Sequence, residues 1–266
     1  MYGYVEWTDR GRRVKAGVHS IAGLRMRSVS VPRKPGTPAF AVRRRCAAAA
    51  GLLSREGITR AVFPADFPHY AIFADHGVLP TDPLELWRAL AAELVQFRLE
   101  ENGLQGRGVT VAVCADRLTD RVRRTVTELC IRNRYVILCA PERDDVLCRK
   151  LRREYGVPLV QTEDPAQLAD AAVTVRFSPG DDPADRGEVL ELYPGGRPPD
   201  AALRLPEETE AHLPETCDRM QLLTALFAAG AVRGGQIRIL APAETETDSF
   251  SGKTGRKRRK SAENAP

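Results

Sequence analysis

"VTVAVCADRLTDRVRRTVTELC", residues 109–130, decides the fold class. Its first seven residues form an alternating apolar run, and the rest reads as a helix. A strand running straight into a helix is how a nucleotide-binding α/β domain begins, yet the turn between them, Cys114-Ala115-Asp116-Arg117-Leu118, holds no glycine. A dinucleotide fingerprint needs glycines there so that backbone amides can approach a pyrophosphate closely. Here side chains fill that space, and Asp116 puts an acid where a phosphate would sit. Asp116 is also placed to cap the following helix, in competition with any bound anion. No cofactor is expected at this turn.

Working outward, YVILCA (135–140), PLVQT (158–162) and AVTVRF (172–177) are further short apolar runs bounded by breakers, and VLELY (189–193) and QIRIL (236–240) are fifth and sixth strand candidates. LTDRVRRTVTELCIRN and ERDDVLCRKLRREYG read as crossover helices, the second stopped by Gly156, and a shorter stretch, DPAQLADA, precedes AVTVRF. This alternation points to a parallel sheet with right-handed crossovers. Over about residues 105–195 the rhythm resembles a Rossmann-type or related doubly wound domain, without that class's ligand motif. A likeness of rhythm implies fold and carries little functional weight.

Toward the N-terminus, YGYVEWT (2–8) and RRVKAGV (12–18) flank Asp9-Arg10-Gly11, a hairpin signal, and MRSVSVP (26–32) alternates. Residues 39–55 have helical composition, ITRAVFP (58–64) reads as a strand, and Thr81 or Asp82 caps an amphipathic helix that starts with Pro83 and stops at Gly103. The expected fold class is α/β: a Rossmann-like parallel sheet with crossover helices, preceded by a small N-terminal antiparallel β element. The expected division is a β-hairpin or small sheet over 1–35, an α/β segment over 36–104, a Rossmann-like segment with a closing helix and strand over 105–242, and a disordered basic tail over 243–266.

Charge is unevenly spread. Residues 1–45 carry eleven Lys and Arg against two acids and the tail from Ala243 carries six against four, so the body between them is acidic within a chain of net +5. A duplex-binding domain would instead cover one face with positive charge. The six cysteines (Cys46, Cys114, Cys130, Cys139, Cys148, Cys217) form no CxxC pair, which excludes a zinc ribbon and suits reduced thiols packed as small apolar side chains. No stretch approaches the roughly 18 apolar residues that span a bilayer, and the charged start MYGYVEWTDRGRR has no signal-peptide core. The expected location is cytoplasmic, with no membrane partner.

Cys114 and Cys139 occupy equivalent places near the carboxyl ends of two consecutive strands, where α/β folds bind ligands. With Asp116 and Arg117 they form a candidate crevice. Asp66, His69, Asp75 and His76 are the richest set of potential metal ligands but follow no metal-site spacing, so no metal is expected. The GKT at 252–254 is no phosphate loop, because the earlier glycine falls on Thr247. Arg256, Lys257, Arg258, Arg259 and Lys260 are capable of weak non-specific contact with nucleic acid. Three functions follow: first, a non-catalytic binding or regulatory module with a degenerate Rossmann-like domain and a protein partner; second, an enzyme acting on a nucleotide-like or small acidic ligand at the carboxyl ends of the strands; third, a nucleic-acid-associated protein working through its basic termini.

Overall fold

The computed structural model describes residues 1–104, 108–180 and 187–242. The first part of the chain forms β1 (Gly3–Thr8), β2 (Lys15–Ile21), β3 (Leu24–Pro32), α1 (Ala39–Arg55), β4 (Arg60–Val62), α2 (Tyr70–Ala74) and β5 (Leu79–Pro80). These five strands make one sheet in the order β2-β3-β1-β4-β5. The antiparallel element is present, but not as the hairpin expected across Asp9-Arg10-Gly11. β2 pairs antiparallel with β3, while β1 lies parallel to β3 and to β4. The tight turn falls instead at Ala22 and Gly23, both with positive φ (47° and 81°), as the favoured two-residue hairpin turn requires.

Two helices then join the halves: α3 (Pro83–Ala89) and α4 (Ala91–Glu101). Asp82 caps α3, its side chain accepting from the Leu84 amide, and Pro83 sits at the first turn. The single helix read from the sequence is thus divided at Leu90, whose backbone leaves the helical region (φ −98°, ψ 13°).

The second sheet contains β6 (Thr110–Cys114), β7 (Tyr135–Cys139), β8 (Val160–Thr162), β9 (Val173–Arg176) and β10 (Glu188–Glu191). α5 (Asp120–Arg132) joins β6 to β7, and α6 (Asp145–Tyr155) joins β7 to β8. Thr119 and Asp144 cap these helices, and Gly156 ends α6 in the left-handed region at φ 67°. The five strands are all parallel, in the order β10-β9-β6-β7-β8. The order runs outward in opposite directions from β6 and β9, the Rossmann-like arrangement with its switch point between those two strands. β8 reaches β9 through a 3-10 turn (Pro165–Leu168) in place of a full helix. QIRIL supplies β12 (Arg238–Leu240), which pairs antiparallel with β11 (Ala202–Arg204) outside the parallel sheet. Between them lie α7 (Glu207–Glu210) and α8 (Arg219–Ala228).

A continuous apolar core runs from Tyr4, Met26 and Val62 on the first sheet, through Leu86, Leu94 and Leu226 of α3, α4 and α8, to Val111, Val113 and Leu138 on the second. A second core lies between the far face of the first sheet and α1, around Val29, Cys46, Leu53 and Phe63. The far face of the second sheet has a thinner cover: Ala112, Leu168 and Ala171 are its buried residues, with Cys114, Ile137 and Cys139 packed against them. Among the described residues no helix is long and apolar enough to cross a membrane.

Candidate functional site

Alternation sends every second side chain of β6 to the same face. Val111 and Val113 enter the main core; Ala112 and Cys114 face the thin cover. Parallel pairing then sets a row across the sheet at its carboxyl edge. Cys114 is in register with Cys139 on β7 and with Arg176 on β9; Cys139 is in register with Thr162 on β8, and Arg176 with Glu191 on β10. The ladder holds to the last residue: the Phe177 amide donates to the Cys114 carbonyl at 2.8 Å and the Ala115 amide to that of Cys139 at 3.1 Å.

Above this row opens a crevice of about 360 Å³, lined by Cys114, Asp116, Cys139, Glu163, Arg176 and Ser178 among others. It lies at the switch point, where open α/β sheets bind ligands. Its mouth is braced by the Asp116 amide, which donates to the Ser178 hydroxyl at 3.1 Å. Arg176 is 6% exposed in a strand whose four residues are all buried, and its guanidinium donates to the Gly180 carbonyl. Glu191 beside it is held below the usual carboxylate range by the Tyr193 hydroxyl and the Arg197 amide, with the charge of Arg176 adding to the effect.

Two of the sequence expectations change here. Asp116 does not cap α5: the turn runs on to Thr119, whose side chain accepts from the Val122 amide, so Asp116 lies too far upstream and stands exposed at the crevice mouth. Arg117 is exposed and lies outside the lining. Asp144 is the acid that does cap a helix, and it also pairs with Arg123 at 2.7 Å.

The structure brings Cys114, Cys139 and Asp116 together, but not the four residues weighed as metal ligands. Asp66 pairs with Arg33 at 3.4 Å, and His69 packs edge-on against Trp7 and Phe67. Burial lowers the His69 pKa, and the charges of Arg43 and Arg33 lower it further. Asp75 ends α2, and His76 faces α1 across a separate groove. Among the described residues no group of three or more His, Cys, Asp or Glu is placed to hold a metal ion. Arg256, Lys257, Arg258, Arg259 and Lys260 lie outside the described residues.

Sequence reasoning missed Arg176 and Ser178. The signal for Arg176 was a single charge inside AVTVRF, at the carboxyl end of a run otherwise apolar enough to be buried.

The chain matches no family model and no curated protein. Solved structures similar to it include aspartate transcarbamoylase from Trypanosoma cruzi in complex with N-(phosphonacetyl)-L-aspartic acid, at 15% identity and TM-score 0.32 over 74% of this chain and 71% of that one. Ornithine carbamoyltransferase from Pyrococcus furiosus is similar at 14% identity and TM-score 0.26, over 66% of this chain and 58% of that one. A probable ornithine cyclodeaminase from Bordetella pertussis Tohama I is similar at 21% identity and TM-score 0.27, over 40% of this chain. The chain spans only 34% of that cyclodeaminase's length. All three are named as enzymes, against the expectation of a non-catalytic module, while matches at these TM-scores bear on the fold alone. The likeness is one of α/β fold and assigns no reaction or substrate to this chain.

Proposed function

We propose that the protein is an enzyme acting on a nucleotide-like or small acidic ligand bound at the carboxyl ends of β6, β7 and β9. One observation carries this reading: a cation, Arg176, is set by a wholly buried strand into the lining of the switch-point crevice, in register with Cys114. Arginine's planar fork bonds carboxylate and phosphate oxygens in pairs, so a guanidinium lining the crevice suits either group. Arg176 binds and orients the acidic group, with the Ser178 hydroxyl beside it. Asp116 stands at the mouth, and Cys114 and Cys139 line the floor against which the bound molecule would lie. The glycine-free turn favours a single acidic group over a dinucleotide pyrophosphate. Reduced, unbridged cysteines accord with a cytoplasmic location.

The test is a thermal-shift screen against nucleotides, sugar phosphates and small dicarboxylates, run on the wild type and on Arg176→Met. A ligand at about 100 times its Kd adds roughly 2.7 kcal/mol of stability, readily seen as a melting shift. The shift is expected to vanish in Arg176→Met, and the ligand is expected to slow iodoacetamide alkylation of Cys114 and Cys139 while Cys148 reacts as before. An undiminished shift in Arg176→Met, with no protection of the two thiols, overturns the reading.

A further inference from the structure

A second cavity, of about 620 Å³, lies on the other half of the molecule, along the outward face of α1. Arg44, Ala48, Leu52 and Arg55 recur at helical spacing and share that face. Small and apolar side chains, among them Ala47, Ala48, Gly51 and Val14, form the floor, while Arg13, Arg44, Arg45, Arg55 and His76 form the rim.

The rim differs from the rest of the surface in its charge balance. Elsewhere arginines meet carboxylates, as in Arg98 with Glu101 (2.6 Å), Arg123 with Asp144 (2.7 Å) and Arg132 with Glu93 (3.1 Å). Arg45 donates to the Pro32 carbonyl, and among the described residues Arg13, Arg44 and Arg55 enter no ion pair. The sequence of α1, AFAVRRRCAAAAGLLSR, has no acid at all, and Glu56 just beyond it is engaged by Arg27 at 2.7 Å. Four arginines and a histidine around one concavity, with no internal counter-charge, make a local field that concentrates anions.

The chemistry of the rim narrows the anion. Arginine's planar fork matches phosphate oxygens in pairs, and the cavity has the size of a small-molecule site. The lining has no Phe, Tyr or Trp, and His76 is its one ring, so the charged groups carry most of the recognition. Repulsion between the two rims opposes self-association through this face. We propose that the α1 groove is a binding site for a small ligand bearing several phosphate groups, separate from the crevice of the second sheet.

Isothermal titration of the full-length protein tests this with inorganic tripolyphosphate, ATP and citrate as probes. Arg44→Ser/Arg55→Ser is expected to weaken tripolyphosphate binding at least tenfold, because both side chains are exposed and their loss leaves the core untouched. Ala48→Glu, which sets a carboxylate on the exposed floor, is expected to do the same. A variant with Arg256, Lys257, Arg258, Arg259 and Lys260 all changed to Ser is expected to bind as the wild type does; Arg176→Met, which removes the anion-binding group of the crevice, is the background in which the groove variants are compared. ATP binding more tightly than tripolyphosphate supports the site with a nucleotide as its ligand; equal binding supports it with the phosphate chain alone. The proposal is overturned if tripolyphosphate does not bind, if the groove variants bind it unchanged, if binding is lost with the 256–260 run, or if citrate binds as tightly.

Discussion

The two sheets end differently at their carboxyl edges. Beyond β1 and β4 the edge of the first sheet is filled by rings: Phe63 lies 4.8 Å from Phe67, 5.0 Å from Phe73 and 5.1 Å from Tyr70, and Trp7 lies 5.1 Å from Phe67. The chain then returns from the far end of the sequence to seal it. Pro64 bridges to Cys217, the Asp218 amide donates to the Phe63 carbonyl at 2.8 Å, and the Gln221 side chain accepts from the Phe63 amide at 3.0 Å. The same edge of the second sheet carries small and polar side chains, Cys114, Cys139, Thr162 and Arg176, and opens into a crevice. Parallel strands create a ligand edge in both places, and the side chains that follow them decide whether it stays open.

Breaking the plug has the largest expected effect. Phe63→Ala removes a fully buried ring from the aromatic cluster and is expected to cost about 3–5 kcal/mol, measured by denaturant unfolding. A cost near zero would mean the rings do not hold the first sheet closed.

Cutting the tie between the chain's two ends comes next. Gln221 is 5% exposed, and besides the Phe63 contact its side-chain amide donates to the Tyr70 hydroxyl at 3.2 Å and to the Asp218 carboxylate at 3.1 Å. Gln221→Ala leaves a buried backbone amide without its acceptor and is expected to cost roughly 1–3 kcal/mol. Hydrogen exchange sharpens the comparison: the amide of Phe63 should lose protection while those of β6 and β7 keep theirs.

A smaller loss is expected from Thr119→Ala, which removes the cap of α5 beside the open edge, at about 1 kcal/mol. With Asp116 already free of that role, the melting temperature should fall without change in ligand response at the crevice.

The smallest contribution per group is acid-sensitive. Burial raises the Glu210 carboxyl, but hydrogen bonds from Arg219 and the Leu205 amide outweigh it and hold the pKa below the ordinary 4.5. Asp144 is likewise raised by burial and brought below 3.8 by the Arg123 hydrogen bond and the Leu147 amide. A folded pKa below the unfolded one stabilises above the ordinary value and loses that stabilisation as pH falls through the lowered folded pKa. Melting temperatures should therefore decline below about pH 4.5, and Glu210→Gln should flatten the decline.

Much of the second sheet was legible in the sequence because its signals are local. Apolar runs such as VTVAVC and YVILC, separated by amphipathic helices with caps and glycine stops, locate β6, β7, α5 and α6 from spacing alone. The first sheet was less legible because Asp9-Arg10-Gly11 reads as a hairpin turn, and only pairing energy between distant strands puts β1 against β3 rather than β2. At the site, Cys114, Cys139 and Asp116 were visible as strand-end residues. Ser178 was not, since nothing in FSPG says that its hydroxyl meets the Asp116 amide across the crevice mouth.

The sequence by itself therefore determined the α/β class, the crossover helices and the missing glycine loop, because periodicity, capping and turn chemistry act over a few residues at a time. Only the tertiary structure decided that Glu191, Arg176, Cys114, Cys139 and Thr162 form one row and that the first sheet's edge is shut. Strand register and the docking of α8 depend on burying apolar surface between segments far apart in the chain, and that information exists only once the core has formed.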